Sequence, residues 1–162
     1  MDVNPDYKDL LNELNARGVK YVVVGTHALL YYTEPRFTKE LDVWIEPTPE
    51  NAQKVFVALK AFGAPLQKIT IEDFTDPKNI YQFGVAPSRI DVLMGISGVE
   101  FPEAWKNKKP VQYGNIRINI LSSEDLLRNK QASGRPQDLT DAHLLHKALK
   151  RLKPSRKPKK RP

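Results

Sequence analysis

The chain has no cysteine among its 162 residues. That excludes a disulfide framework and a thiolate zinc site, and it fits a reducing, cytoplasmic setting. No run of about 18 apolar residues occurs, so neither a membrane-spanning helix nor a membrane partner is expected. The opening residues, MDVNPDYKDL, are polar and acidic and do not read as a secretory leader. Histidine is scarce, at three residues. His143 and His146 stand i, i+3 beside Lys147 with no third ligand in reach of the pattern, and they read as surface residues. There is no Gly-Lys-[Ser/Thr] phosphate loop, no internal repeat and no sign of a second domain.

What remains is ordinary for a globular α/β chain: 40% hydrophobic and 28% charged residues, with enough length for one domain and a real core. The charge is unevenly placed. Residues 150–162, KRLKPSRKPKKRP, hold eight basic residues and no acid. Taking those eight from the 26 basic residues leaves 18 against 19 acidic ones in 1–149, a net of −1 out of the +7 total. The sequence therefore divides into a near-neutral domain, 1–149, and a basic tail, 150–162, whose three prolines and charge predict an extended, disordered segment. Such a tail either solubilises the protein or grips an RNA backbone by counterion release.

Periodicity predicts a helix over 6–17 (Leu10, Leu11, Leu14 inward), a buried strand over 20–24 and a short helix over 26–32. A loop, 34–39, leads to a strand over 41–46. Thr48 and Pro49 start a helix that Phe62 and Gly63 end. A capped helical turn falls at 70–74, with Thr70 and Asp73 as its box. Hairpin strands are expected at 80–85 and 89–94, an irregular stretch at 95–105, and a second hairpin or a bulged turn around Gly114. Ser122 caps a helix to about Ala132, and a last helix runs from 137 to 152. Trp44, Tyr31 and Tyr32 are expected in the core or in a pocket wall.

Chemistry concentrates in Val22–Glu46, read with Arg89–Met94. Glu40 and Asp42 alternate with Leu41 and Val43, so on a strand the two acids share one face. Neighbouring carboxylates repel and cost desolvation unless a cation sits between them. Asp91, flanked by Ile90 and Val92, offers a third strand-borne acid, and three converging carboxylates suit a hard divalent cation such as Mg²⁺. The same i, i+2 spacing also describes the solvated face of an edge strand. Just upstream, Gly25-Thr26 joins a strand to a helix N-terminus, which offers backbone N–H groups to an anion. Arg36 either pairs with a phosphate as a planar fork or is a surface arginine. Thr38 is expected to bond the loop backbone. His27 either contacts a base or phosphate or is a helix-face residue with no catalytic task.

Gly25-Thr26, Glu40-Leu41-Asp42 and Ile90-Asp91-Val92 resemble the signature of the polymerase-beta-type nucleotidyltransferases: Gly-Gly or Gly-Ser, a short helix, Asp-hydrophobic-Asp, and a third Asp on a neighbouring strand. RFTKELDVWIE resembles the Arg-x-Thr-Lys-Asp-hydrophobic-Asp block of small bacterial minimal nucleotidyltransferases, a group that includes toxin–antitoxin and abortive-infection components. Lys130 and Gly134-Arg135-Pro136-Gln137-Asp138 resemble that group's C-terminal block. The likeness spans about residues 20–145, with Thr26 in place of Gly or Ser and Glu40 in place of the first Asp.

The resemblance implies an α/β nucleotidyltransferase (polymerase-beta-like) fold, a short mixed β-sheet flanked by helices. It implies a nucleoside triphosphate substrate, Mg²⁺ or Mn²⁺ as cofactor, and an acceptor hydroxyl on RNA (tRNA included) or protein. A toxin–antitoxin partner belongs to the same implication. Glu40, Asp42 and Asp91 would be the catalytic metal ligands. Gly25, Thr26, Arg36 and Lys130 would bind the nucleotide. Asp138 would cap the last helix, Arg135 is left undecided, and Asp141 is expected as a solvated first-turn acid. The alternative is a retired fold kept as a binding module or antitoxin component, with Glu40 as the disabling change. Nothing in the sequence selects among ATP, CTP, GTP and UTP.

Overall fold

Asn4 and Pro5 start the first helix. In the computed structural model, which describes residues 3–34 and 38–152, the Asn4 side-chain oxygen accepts from the N–H of Asp6 (2.8 Å) and Tyr7 (3.3 Å). Helix α1 runs Pro5–Ala16 and buries Tyr7, Leu10, Leu11 and Leu14. Strand β1 (Tyr21–Val24) is buried throughout and passes directly into α2 (Gly25–Tyr32). Strand β2 (Glu40–Ile45) alternates half-buried acids with fully buried Leu41 and Val43. Helix α3 (Pro49–Phe62) has Thr48 as its cap and Gly63 as its left-handed stop, φ +97°.

A single 3₁₀ turn, Ile71–Thr75, carries the expected Thr70–Asp73 capping box. Strands β3 (Ile80–Phe83) and β4 (Arg89–Leu93) form the first hairpin. Strands β5 (Lys109–Tyr113) and β6 (Ile116–Ile120) form the second, turning at Gly114 and Asn115. Helices α5 (Ser123–Ser133) and α6 (Pro136–Leu152) close the described chain. Helix α6 thus carries the first three residues of the predicted tail. The rest of the tail lies outside the described residues, as does Arg36.

One expectation fails here. The stretch 95–105 is not irregular throughout, because Phe101–Asn107 forms helix α4. Pro102 sits in its first turn, where its missing N–H costs nothing. Phe101 and Ala104 turn inward, and Phe101 meets the Trp44 ring edge-on at 5.1 Å between centroids. Two inward residues in a seven-residue helix give too short a period to be seen in sequence.

The six strands make one mixed sheet in the order β3-β4-β2-β1-β6-β5. Strands β2 and β4 are parallel, as are β1 and β6; the other neighbours are antiparallel. The β2–β4 register pairs Glu40 with Arg89 and Asp42 with Asp91. Since partners across a ladder share a face, the acids of both strands point one way. Leu41, Val43, Ile90 and Val92 point the other way into the core. Helix α3 covers that core face: Phe62 packs on Phe83, whose side chain alternates with that of Gln82. Asn51 fixes the position of α3. Its amide donates to the carbonyls of Lys20 (3.0 Å) and Glu46 (2.9 Å) and accepts from the Lys20 N–H (2.8 Å). Among the described residues, no helix is long and apolar enough to cross a membrane.

Candidate active site

On the acid-bearing face of the sheet, Glu40 and Asp42 line a cavity. Three central strands, β1, β2 and β4, deliver Gly25, the Glu40/Asp42 pair and Asp91 side by side. One carboxylate oxygen from each of Glu40, Asp42 and Asp91 lies within 4.8 Å of the other two. The expected convergence is therefore present, and the extra methylene of Glu40 does not remove its carboxylate from the set.

Asp42 sits at the centre. Burial, reinforced by the charges of Glu40 and Asp91, pushes its carboxyl up to about 7, with Lys130 pulling the other way. Among the described residues no side-chain donor bonds the carboxylates of Glu40 or Asp42. Asp91 differs. Its Oδ1 accepts from Arg89 Nε at 3.2 Å and its Oδ2 from Gln82 Nε2 at 3.2 Å.

Gly25 explains how the turn between β1 and α2 meets this cluster. Its φ is +67°, and a Cβ built there would lie 2.0 Å from Asp42 Oδ2. Only glycine permits both the left-handed backbone and the close approach. With Thr26 it opens α2 at the rim of a cavity of about 700 Å³ that also holds Glu40 and Asp42. Ile80, Leu93 and Ile96 give that cavity an apolar flank. Lys130, Arg135, Gln137, Asp138 and Asp141, from α5 and α6, give it a charged one.

Lys130 stands on this charged wall, 6% exposed. Its Nζ bonds Asp141 Oδ2 at 3.1 Å and Asp138 Oδ1 at 3.3 Å. Asp138 does not cap the last helix; it lies inside the first turn of α6, and the backbone carbonyl of Arg135 takes the cap role by accepting from Leu139 N–H at 2.9 Å. The Asp138 carboxylate instead ties the α5–α6 corner, accepting from Arg135 Nε at 2.7 Å and from the Ser133 hydroxyl. Burial alone would raise it, but the Ser133 and Arg135 hydrogen bonds and the Lys130 charge hold it below the usual carboxylate range. Asp141 is not solvated either: it is 3% exposed and bonded by Lys130 and Gln137. The sequence signal for both was ambiguous, because burial of one side of α6 depends on how α5 crosses it.

His27 lies in the core rather than on the cavity rim. Its ring is packed among Tyr7, Tyr31 and Tyr113, with centroids 5.1–6.2 Å away. Burial pushes its pKa down to about 4. Thr38 bonds the loop backbone as expected, donating to the Glu40 carbonyl at 3.0 Å. His143 and His146 are exposed, and Trp44 and Tyr32 are buried. Arg89 and Gln82 were missed in sequence. Arg89 stands two residues before Asp91 on the same strand face, so period-2 alternation was enough to find it. Gln82 required the hairpin register.

A family profile described as nucleotidyl transferase of unknown function (DUF2204) matches residues 4–157. The chain belongs to this nucleotidyl transferase family. Among solved structures it is similar to the lincosamide antibiotic adenylyltransferase LnuA with lincomycin bound, at TM-score 0.56 and 13% identity, over 91% of this chain and 99% of that one. It is likewise similar to TM1012 of Thermotoga maritima, assigned as a nucleotidyltransferase, at TM-score 0.56 and 17% identity, over 93% and 96%. Both likenesses concern the fold, and they agree with the α/β nucleotidyltransferase architecture expected from the sequence. No curated protein matches the chain in sequence.

Three features bear on whether a divalent cation suits the site: hard oxygen ligands, their mutual reach of 4.8 Å, and the burial and carboxylate repulsion that together raise Asp42. All three fit Mg²⁺ or Mn²⁺ held by Glu40, Asp42 and Asp91.

Proposed function

We propose that the protein moves a nucleoside monophosphate from a nucleoside triphosphate to a hydroxyl of RNA, tRNA included, or of a protein. The observation that carries this reading is the convergence of Glu40, Asp42 and Asp91 beside Gly25 and Thr26 at the head of α2. Bound there, Mg²⁺ or Mn²⁺ would offset the carboxylate repulsion and supply Lewis-acid polarisation of phosphoryl oxygens. The residues divide the remaining work. The first N–H groups of α2 and the Thr26 hydroxyl meet the triphosphate, and Gly25 lets it approach. Arg135 adds positive charge from the facing wall, where Lys130 is tied up by Asp138 and Asp141. Arg89 and Gln82 hold Asp91 in one orientation, with lone pairs left to take the acceptor proton. The acceptor oxygen bonds to the α-phosphorus as the bond to the β-bridging oxygen breaks, and pyrophosphate leaves. A basic tail over 150–162 would add RNA affinity through counterion release.

The retired-module reading predicts a disabled acid set. Glu40 instead keeps an oxygen within reach of Asp42 and Asp91, which supports the active reading. The test offers each α-labelled nucleoside triphosphate with Mg²⁺ or Mn²⁺ to total RNA, to a protein extract and to lincomycin, wild type beside Asp42→Asn. Label transferred by the wild type to RNA or protein and lost in the variant is the expected result; label on lincomycin alone would contradict the acceptor class. Transfer surviving Asp42→Asn, or absent in a folded wild type with every acceptor, overturns the proposal.

A further inference from the structure

Two cations occupy the charged wall of the cavity, and their surroundings are opposite. Lys130 is 6% exposed, and its ammonium is met by two carboxylates, Asp138 and Asp141. Two anions around one cation leave it no surplus charge to offer a ligand, and turning it toward the cavity would leave Asp138 and Asp141 buried without it. Arg135, by contrast, has a side chain 79% exposed and lines the same cavity as Gly25, Thr26, Glu40 and Asp42. Asp138 holds it by Nε at 2.7 Å. That contact fixes the direction of the guanidinium and, among the described residues, leaves its two terminal nitrogens unbonded. A guanidinium fixed at Nε with both terminal nitrogens open is arranged for bidentate capture of a phosphate. The acids across the cavity also act on it electrostatically.

We propose that Arg135 is the cavity's phosphate-binding cation, presented by Asp138, and that Lys130 is a positioning residue that pins α6 to α5. The inference rests on the nucleotidyl-transfer reading above. It assigns the polyphosphate of the substrate, not its base or the acceptor, to the α5–α6 corner.

The probe is inorganic tripolyphosphate titrated calorimetrically onto Mn²⁺-loaded full-length protein, since it carries the shared charge of all four nucleotides. Arg135→Gln should weaken it about tenfold while lowering the melting temperature far less than Lys130→Met does, and Arg135→Lys should recover part of the loss in affinity. Lys130→Met should lower the melting temperature by roughly 10 °C. Should Lys130→Met not fold, Lys130→Arg tests the same point and should bind tripolyphosphate nearly as the wild type does. Unchanged affinity in Arg135→Gln, or a folded Lys130→Arg that loses tripolyphosphate, overturns the assignment. Asp42→Asn serves as the separate control: if it still takes up Mn²⁺ normally, the metal-site reading beneath the proposal is what has failed.

Discussion

Two groups of carboxylates face one another across the same cavity, and they are solved oppositely. On the α5–α6 wall, Asp138 and Asp141 are buried and fully answered by Lys130, Arg135, Ser133 and Gln137. On the sheet, Glu40 and Asp42 have no such partners among the described residues, and Asp42 is pushed up to about 7. Compensated acids hold a fold together; an uncompensated pair on rigid strands is a stability cost kept for a ligand that supplies the missing charge. The positions of the two groups follow from this: the first locks one helix to another, and the second lies beside the turn that opens α2.

The largest effect should come from removing the uncompensated side. Asp42→Asn should lower transfer by about 10³-fold or more, yet make the metal-free protein more resistant to urea at pH 8; a loss of activity accompanied by a loss of stability would contradict the contrast. Removing the compensation on the other wall should do the reverse. Lys130→Met should cost about 3–5 kcal/mol of unfolding free energy, because it takes the shared cation from two buried carboxylates and leaves Asp141 without a charged partner among the described residues. A urea titration that finds less than about 1 kcal/mol would show that α6 does not depend on the pin.

Gly25→Ala tests how closely the two elements of the sheet site are joined. A left-handed backbone and a Cβ at 2.0 Å from Asp42 Oδ2 should cost about 1–2 kcal/mol in strain and displace Asp42, so activity and metal uptake should fall together. Normal Mn²⁺ binding in a folded Gly25→Ala protein would contradict that link.

The smallest effects are in pH, and their signs differ between the walls. The folded pKa of Asp42 lies above its unfolded value. Its contribution to stability is therefore full at acid pH and is lost as pH rises through about 7. Asp138 is held down instead, so its contribution is present above the unfolded carboxylate range and is lost as pH falls through its folded value. Metal-free melting temperatures of wild type and Asp42→Asn, compared from about pH 4 to 8.5, should draw together at the acid end, move apart up to about pH 7 and run parallel above it. A constant difference across that range would rule out the raised Asp42. By the same proton, Mn²⁺ affinity should fall as pH drops below 7, by up to about tenfold per unit.

Much of the site was legible in sequence because strand alternation is local. Glu40 and Asp42 had to share a face once β2 was a strand, and Gly25 at a strand–helix junction marked the turn. The order of elements was readable for the same reason, from caps such as Thr48, Thr70 and Ser122. What escaped depended on relations between elements. Gln82 reaches Asp91 only through the β3–β4 register, and Asn51 joins β1, β2 and α3 in a way no single segment reveals. Asp141 read as solvated because a first-turn helical acid normally is; its burial is decided by the Lys130 ammonium of another helix. The two inward residues of α4 were too few to show a period.

The most direct test of the central claim is Mn²⁺ binding to the metal-free protein at pH 8, followed by electron paramagnetic resonance, for wild type and Asp42→Asn. The account predicts saturable binding by the wild type and its loss in a variant that is folded and more stable. Equal binding by the two proteins would contradict it, since the uncompensated carboxylates would then not be the place where the cation sits.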